Sequence, residues 1–483
     1  MLLGFAEGVT ITKLSEAIYP ATMATMKKAH PFKKALYFSE AEFQERRNRA
    51  LELMKRESLD GFLMTKQESL YYLTGFDTFG YVFFQAMYFH NDGSMRLITR
   101  IPDLRQALYT SVLSQKDVMI RSDDAGSNPV SLVPQVLKEF GINSPSKRIG
   151  YEPDSCSLTH RLGKLLEEAV DGVCTLVDQS DLFTRELRII KSEAEMRKVR
   201  KAAYLADFAL VRTLKLAKPG AYEGDLWREI VGTVYEGGGD DPANENILVG
   251  GNKAVLTRYS TGKDIIDRQL TLEHAAAYKH YHACLMRTIP IGGVTKLARQ
   301  MHEVNVLQMK ACLEALKPDR EIGDVFEAYA RVADENGFRD QRFNSCGYSL
   351  GATFSPTWMD FPMFVRGQNV IAQAGMVFFI HIILMDKATD TASSIGQTVE
   401  VTENGCVPLS KLPFCLTRKQ TIAAWKEIPK EAYGFTTEEE DEGENLQDVE
   451  LSDGEVDAED YDVEYDFSEY QPATALGDPT QPI

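Results

Sequence analysis

The stretch QLTLEHAAAYKHYHACLMRTIPIGG, residues 269–293, predicts the β-hairpin around which the rest of this chain is organised. Two runs with apolar alternation flank a short polar interruption, a pattern typical of two antiparallel strands. The hairpin holds one carboxylate, three histidines, a cysteine and an arginine, although the whole chain has only eight histidines. It is therefore the first place to look for a functional site.

Around this hairpin, helical and strand-like segments are grouped rather than strictly alternating, which favours an α+β domain over residues 185–415. Ser192 is a plausible N-cap for a long helix, with Glu193 and Glu195 in its first turn. Further helices are predicted near 222–235, 296–316 and 322–336. The other strand candidates are 247–249, GYSLGATF (347–354), GMVFFIHIILMD (375–386) and SIGQTVEVT (394–402).

Residues 37–184 alternate short strand-like and helical segments, which predicts a smaller α/β domain ahead of the hairpin. Ser39 and Glu42 form a capping-box pattern at its first helix, and GFLMT at 61–65 is a strand candidate. Residues 1–36 form an irregular N-terminal extension, and 416–435 form a connector.

The acidic character of the chain is concentrated at its C-terminus, residues 436–483. Of the formal net charge of −18, the segment 438–469 contributes 17 acidic residues without a Lys or Arg, which leaves the body close to neutral. Such a segment is expected to be a disordered acidic tail. It serves solubility or docks a basic protein partner, whereas the near-neutral body predicts no nucleic-acid binding.

Cysteine usage and hydropathy limit the location of the protein. The seven cysteines are scattered without C-x-x-C pairs, which argues for a reducing compartment and against a disulfide framework. No run approaches 18 apolar residues, so no membrane span and no membrane partner are expected. We therefore expect a cytoplasmic protein.

Several motifs in order resemble the creatinase/prolidase/methionine-aminopeptidase superfamily. They are IKSEAEM (190–196), the hairpin ending in MRT (286–288), GYSLG (347–351), GMVFFI (375–380) and VTENG (401–405). The resemblance covers about residues 38–412 and is most similar to the branch with ectoine hydrolase and Xaa-Pro peptidases. It implies an α/β N-terminal domain, an α+β "pita-bread" domain and a homodimer.

The resemblance also assigns the ligand positions of a two-metal site. Peptidases of that superfamily hold their ions with Asp, Asp, His, Glu and Glu, and the matching positions here are Glu273, Cys284, Tyr348, His381 and Gly396. Two close divalent ions need shared carboxylates, and only the first position has one. We therefore predict no metal and no other cofactor. A single ion on Glu273, Cys284 and His381 is the alternative.

The same resemblance sets residue 273 opposite 284, which leaves a two-residue turn at 278–279. Side chains alternate along a strand, so His274 and Tyr281 then point away from Glu273. The side chains that share its face are His280, His282, Cys284 and Met286.

A carboxylate with histidines on one face forms an acid/base set that works near neutral pH, because imidazole titrates there. We predict Glu273 as base or nucleophile, supported by His282 and His381. The alternative is that these histidines are hydrogen-bonded core residues.

Other residues are predicted to bind substrate. Arg258, within AVLTRYS (254–260), stands where creatinase relies on a histidine, and an arginine there would bind a carboxylate. Trp358 and Asp360 would hold a cationic nitrogen, and the Tyr348 hydroxyl would donate to the substrate. Arg287 would brace Glu273 or a strand end, or bind substrate. His280, close to the turn, completes the substrate-binding set.

The expected function is metal-independent hydrolysis of a C–N bond in a small nitrogenous compound, as in ectoine hydrolase or creatinase. One alternative is a metal-dependent Xaa-Pro dipeptidase or aminopeptidase. The other is a non-catalytic pita-bread binding module whose acidic tail contacts basic partners.

Overall fold

The computed structural model describes residues 33–79, 82–255 and 263–434. Most of the predicted N-terminal extension, Arg258 and the predicted acidic tail lie outside these residues. Among the described residues, none of the helices combines the length and the apolar character needed to cross a membrane.

The N-terminal part is built on a six-stranded mixed sheet in the order β4-β3-β2-β1-β5-β6. Its strands are β1 (Gly61–Met64), β2 (Ala86–His90), β3 (Met95–Thr99), β4 (Val118–Ile120), β5 (Arg148–Tyr151) and β6 (Thr175–Asp178). The helices of this part are α1 (Glu40–Arg56), α2 (Gln67–Thr74), α3 (Ile101–Thr110), α4 (Val133–Glu139) and α5 (His160–Val170). The Ser39 side chain caps α1 by accepting from the Glu42 backbone N–H.

The second part is built on an antiparallel sheet of eight strands, in the order β11-β10-β12-β13-β9-β8-β7 with β14 paired to β13. The strands are β7 (Ile247–Gly250), β8 (Gln269–Tyr278), β9 (Tyr281–Pro290), β10 (Gly347–Ser349), β11 (Asp360–Met363), β12 (Val377–Asp386), β13 (Thr391–Thr402) and β14 (Gly405–Pro408). The helices are α6 (Glu193–Leu216), α7 (Glu223–Glu236), α8 (Lys296–Ala315), α9 (Gly323–Glu335) and α10 (Arg418–Lys426). The predicted succession of an α/β part and an α+β part is confirmed.

Helix α6 covers the outer face of the central hairpin. The Ser192 and Glu195 side chains close a capping box at its start, as the sequence predicts. Along its length, Ala and Leu side chains pack against β8 and β9 in the largest apolar cluster of the described residues. The hairpin therefore has one face fixed on a helix and the other face available for a site.

The hairpin register differs from the predicted one by two residues. Glu273 lies opposite Met286, and Tyr278 lies opposite Tyr281. The turn is Lys279–His280, where φ is 50° and 67°. Positive φ at both central residues is the geometry of a two-residue turn that matches the twist of its strands. Because a shift of two residues preserves alternation, the predicted faces are unchanged.

Candidate active site

Four neighbouring strands place one residue each in a row across the sheet. Glu273 on β8 lies opposite Met286 on β9, which lies opposite Gly396 on β13, which lies opposite His381 on β12. Neighbouring strands are about 4.8 Å apart, so the Cα atoms of Glu273 and His381 are separated by roughly 14 Å. Two polar residues therefore mark the two ends of the row.

A cavity of about 180 Å³ lies over this row. Of the predicted site residues, four line it: Glu273, Tyr348, Trp358 and His381. The other lining residues are Asn244, Ile247, Met286, Phe343, Ser345, Thr357, Met359, Met363 and Ile383. The structure thus gathers four predicted residues, from different parts of the sequence, around one space for a small molecule.

Tyr348 is oriented by its aromatic neighbours. The Trp358 indole Nε1–H donates to the Tyr348 hydroxyl oxygen at 2.7 Å. The Tyr348 ring also contacts the rings of Phe379 and His381, with centroids 5.6 and 5.5 Å away. Because the phenol oxygen accepts from the indole, its own proton can be directed toward a third group.

The residues at the five ligand positions do not fit a pair of divalent ions. A Cβ at Gly396 would lie 2.6 Å from Phe379 Cζ and 2.9 Å from Met286 Cβ, so the position excludes a side chain. Burial, and to a lesser extent Glu273, holds the pKa of the Cys284 thiol well above its usual value. Within the described ranges, no three His, Cys, Asp or Glu side chains are grouped to hold a metal ion.

Gly396→Ala should destabilise the protein by about 1–3 kcal/mol, because the added methyl group overpacks the contact with Phe379 and Met286. The measurement is the midpoint of thermal unfolding. Gly232→Ala is the matched control, since Gly232 lies inside α7 with nothing within 4 Å of an added Cβ. That change should stabilise by roughly 0.5–1 kcal/mol. Equal midpoints for Gly396→Ala and the unmodified chain would show that β13 has room for a side chain.

His282 is a core residue and not part of the cavity, which corrects its predicted catalytic role. Its side chain is 1% exposed. Nε2 accepts from the Ala243 backbone N–H at 2.9 Å, and Nδ1 lies 3.1 Å from the Thr353 hydroxyl. Burial lowers its pKa to about 3, with a smaller contribution from His280. Both ring nitrogens are therefore engaged inside the fold, away from the cavity that Glu273 and His381 line.

His280 lies at the interface between the two parts of the chain, which corrects its predicted contact with substrate. Its Nε2 lies 2.8 Å from Asp77 Oδ1. The ring stacks on Phe354 with centroids 4.2 Å apart, and the neighbouring Lys279 carbonyl accepts from the Tyr71 hydroxyl at 2.8 Å. The tip of the central hairpin is therefore bound to the N-terminal sheet domain.

Asp360 is a buried counter-ion, which corrects its predicted role in binding a substrate nitrogen. Arg188 Nη1 donates to Asp360 Oδ2 at 3.3 Å, and both side chains are nearly inaccessible. Burial lowers the pKa of Lys191 to about 8, and the charge of Asp360 opposes that shift. Asp360 thus compensates two buried cations beside the cavity.

Asp360→Asn should destabilise the fold by roughly 3–5 kcal/mol, because Arg188 loses its buried ion-pair partner and Lys191 loses the largest of the charges that favour its protonated form. The shift in the urea-unfolding midpoint measures the effect. Asp324→Asn is the control: its pair with Arg320 is exposed, and its loss should change stability by only about 0.3–0.5 kcal/mol. Similar shifts in both variants would mean that Asp360 carries no special electrostatic role.

Arg287 braces the sheet from its far side, which corrects its assignment to substrate binding. Its Nη1 donates to the carbonyl oxygens of Met286 and Gly396, at 2.9 and 2.7 Å. Residue 287 alternates with the cavity-lining residue 286, so its side chain leaves on the opposite face. Burial lowers its pKa to about 10, and Asp207 partly offsets this. These contacts support the predicted role of Arg287 as a brace between strands β9 and β13.

The remaining predicted substrate-binding residue, Arg258, lies outside the described residues. Ser345, Phe343 and Met359 line the cavity as well, although no pattern in the sequence predicts them as site residues. All three lie in or next to irregular segments around the short strand β10, where no alternation indicates which side chain faces inward. Only their proximity to Tyr348 and Trp358 in the sequence could have identified them.

Two protein-family models match the chain. The model described as "Metallopeptidase family M24" matches residues 197–403, and "Creatinase/Prolidase N-terminal domain" matches residues 46–190. The predicted superfamily and its pita-bread domain are thereby confirmed.

Individual relatives are distant, and two of them match over nearly their whole length. Ectoine hydrolase from Halomonas elongata is 24% identical, over 78% of this chain and 98% of its own. An uncharacterized hydrolase/peptidase from Sinorhizobium fredii is 24% identical, over 78% of this chain and 97% of its own. Xaa-Pro dipeptidase from Pyrococcus furiosus is 25% identical, over 48% of this chain and 66% of its own.

Solved structures share the fold. The prolidase from Pyrococcus horikoshii superposes with a TM-score of 0.67 at 20% identity, over 77% of this chain and 99% of its own. Dipeptidase PepE from Mycobacterium ulcerans has a TM-score of 0.68 at 22% identity, over 79% and 98% of the two chains.

Proposed function

Because this chain joins a creatinase/prolidase N-terminal domain to a domain of metallopeptidase family M24, we propose that it hydrolyses a C–N bond in a small nitrogenous compound. We further propose that it does so without a metal ion. The observation that carries this proposal is the row Glu273, Met286, Gly396 and His381 beneath the cavity. The row retains one carboxylate and one imidazole and has lost the set of shared carboxylates that two metal ions require.

Glu273 is the proposed general base. A water molecule held at its carboxylate adds to the carbon of the C–N bond, and the carboxylate takes the proton of that water. The C–O bond forms, the C–N bond breaks, and the proton passes to the leaving nitrogen, so that atoms and charge balance. Direct attack by the carboxylate, followed by hydrolysis of the acyl intermediate, is the covalent version of the same reaction.

His381 and Tyr348 are proposed to act on the substrate from the other end of the row. Both line the cavity, and their rings are in contact. Since Trp358 donates to the Tyr348 oxygen, the phenol proton can hydrogen-bond to the heteroatom on which negative charge develops. Preorganised donors of this kind are worth roughly 10²–10³ in rate when one is removed.

The relatives support this class of reaction without fixing the substrate. Ectoine hydrolase matches over almost its whole length, and the Xaa-Pro dipeptidase of Pyrococcus furiosus matches over two thirds of its own. The dipeptidase relatives keep metal-dependent cleavage of Xaa-Pro dipeptides as the second candidate. The binding-module alternative rests on the acidic tail, which lies outside the described residues, so the basic partner stays a prediction. The expected homodimer and cytoplasmic location stay predictions as well.

A turnover screen with and without a chelator separates the two candidate enzymes. The panel holds ectoine, creatine, related cyclic and acyclic amidines, and Gly-Pro dipeptides, each incubated with the full chain. We expect hydrolysis of an amidine-type or amide-type compound at a rate that a chelator leaves unchanged. Hydrolysis of an Xaa-Pro dipeptide that stops on chelation, with two stoichiometric metal ions per chain by elemental analysis, would overturn the proposal.

A further inference from the structure

The wall of the cavity has the composition of a site for an organic cation. Among the described lining residues, Glu273 is the only carboxylate, and none is Lys or Arg. Three aromatic residues also line the cavity: Phe343, Tyr348 and Trp358. Aromatic rings attract cations through their quadrupole, and the attraction increases when water is excluded.

Thioethers form much of the remaining wall. Met286, Met359 and Met363 line the cavity together with Ile247 and Ile383. Methionine sulfur is polarizable and its side chain adapts to ligand shape, so such a wall holds the apolar substituents around a charged nitrogen. With a volume of about 180 Å³, the space is suited to a compact molecule rather than to a long peptide.

Ser345 adds a polar group that the protein leaves unused. Its hydroxyl oxygen is shielded from solvent and, within the described residues, has no hydrogen-bond partner. An unsatisfied buried hydroxyl destabilises the fold, so a ligand that pairs with it gains affinity. Ser345 precedes Cys346, whose carbonyl accepts from the His381 backbone N–H at 3.0 Å. The hydroxyl therefore lies at the His381 end of the row, away from Glu273.

We infer that the substrate of this cavity is a small organic cation that also carries a neutral hydrogen-bonding group, and that Ser345 is the residue that selects this group. The cationic nitrogen lies at the Glu273 carboxylate with the thioether side chains around its substituents, and the hydrogen-bonding group meets the Ser345 hydroxyl at the His381 end. This inference deepens the proposed function and rests on it for the identity of the site.

Three matched probes separate charge from hydrogen bonding. Choline carries a trimethylammonium group and a hydroxyl, ethyltrimethylammonium keeps only the charge, and 3,3-dimethylbutan-1-ol keeps only the hydroxyl. Dissociation constants for the full chain are measured by calorimetry or ligand-observed NMR. We expect choline to bind roughly five to ten times more tightly than ethyltrimethylammonium, the effect of one net hydrogen bond. The neutral alcohol should bind more weakly than choline.

Ser345→Ala should abolish the advantage of choline over ethyltrimethylammonium without weakening the latter. Ser349→Ala is the matched control, because the Ser349 hydroxyl on β10 donates to the Val377 carbonyl and does not line the cavity. The Ser349→Ala variant should still bind choline more tightly than ethyltrimethylammonium. Glu273→Gln should weaken both cations and leave the alcohol unchanged.

Two results overturn the inference. Cation recognition would be ruled out if choline and 3,3-dimethylbutan-1-ol bind equally tightly, or if neither of them binds. Equal loss of both cations in Ser345→Ala would mean that this residue does not select the polar group. These are binding measurements, so they fail independently of the proposed function, which fails in the turnover and chelation assay.

Discussion

Replacement of Glu273 by glutamine should lower turnover by about 10²–10⁴-fold, because the side chain keeps its shape but no longer accepts a proton from water. The loss should appear mainly in kcat, since an amide of the same size still fills the wall of the cavity, and KM for a cationic substrate should rise because the amide carries no charge. Its position supports a local effect: Glu273 lies on β8, within the row that ends at His381. The measurement is steady-state kinetics on the compound that the turnover screen identifies.

Glu403→Gln provides the control for this experiment. Glu403 is exposed in the turn between β13 and β14, far from the cavity wall, so turnover should stay at the level of the unmodified chain. The thermal midpoints of both variants should match it too. If Glu273→Gln retains full kcat while the fold is intact, Glu273 is neither base nor nucleophile and the proposed mechanism is wrong.

Stability should fall steeply as the pH drops below about 6.5, because three buried histidines are held neutral in the folded chain. Burial lowers the pKa of His282 to about 3, and that of His274 and His302 to about 4, from an ordinary value of 6.5. Between these values the unfolded chain binds the protons and the folded chain does not, so acid favours unfolding. Each proton changes the free energy of unfolding by about 1.4 kcal/mol per pH unit.

Urea unfolding at pH 7.5, 6.0 and 5.0 measures this dependence. With three histidines taking part, the free energy of unfolding should fall by up to roughly 4 kcal/mol per pH unit near pH 5.5. His302→Gln should lower that slope by about one proton, because glutamine does not titrate. The fold should be kept, since the amide N–H can still donate to the Phe414 carbonyl, which His302 Nε2 contacts at 3.2 Å. An unchanged slope in this variant would show that His302 is protonated in the folded state.

Much of the fold could be predicted because local signals agreed with tertiary packing. Ser192 and Glu195 cap the helix that the sequence places there, and alternation around 269–293 predicts the hairpin. The register could not be predicted in the same way. It depends on where the chain turns, and residues 278–280 contain no glycine or asparagine to mark the two positive-φ positions.

The candidate site could be predicted in part. The order of the motifs identifies which strand residues lie side by side across the sheet, but not which residues further along a strand reach the cavity. Glu273 and His381 fall in one row, as positions matched by motif should. His282 shares the Glu273 face yet lies four residue pairs closer to the turn, where it is hydrogen-bonded to Ala243 and Thr353. A shared face therefore does not imply a shared cavity.

A charged residue at the start of the short strand β11 was harder to interpret. Asp360 follows Trp358 closely, and the two looked like one ligand-binding unit. The structure instead pairs Asp360 with Arg188, which is 172 residues away in the chain. No sequence pattern predicts such a long-range ion pair, because it depends on how the two domains are packed together.

The packing of Phe379 against Gly396 limits how this chain can evolve. A single substitution cannot place a carboxylate at position 396 without overpacking, because any side chain there meets the Phe379 ring. Shrinking the fully buried Phe379 first would cost roughly 3–5 kcal/mol, a large part of the stability of an ordinary domain. Either order of the two substitutions therefore passes through a less stable intermediate. The contact between these two residues makes a carboxylate at position 396 hard to reach by successive single substitutions.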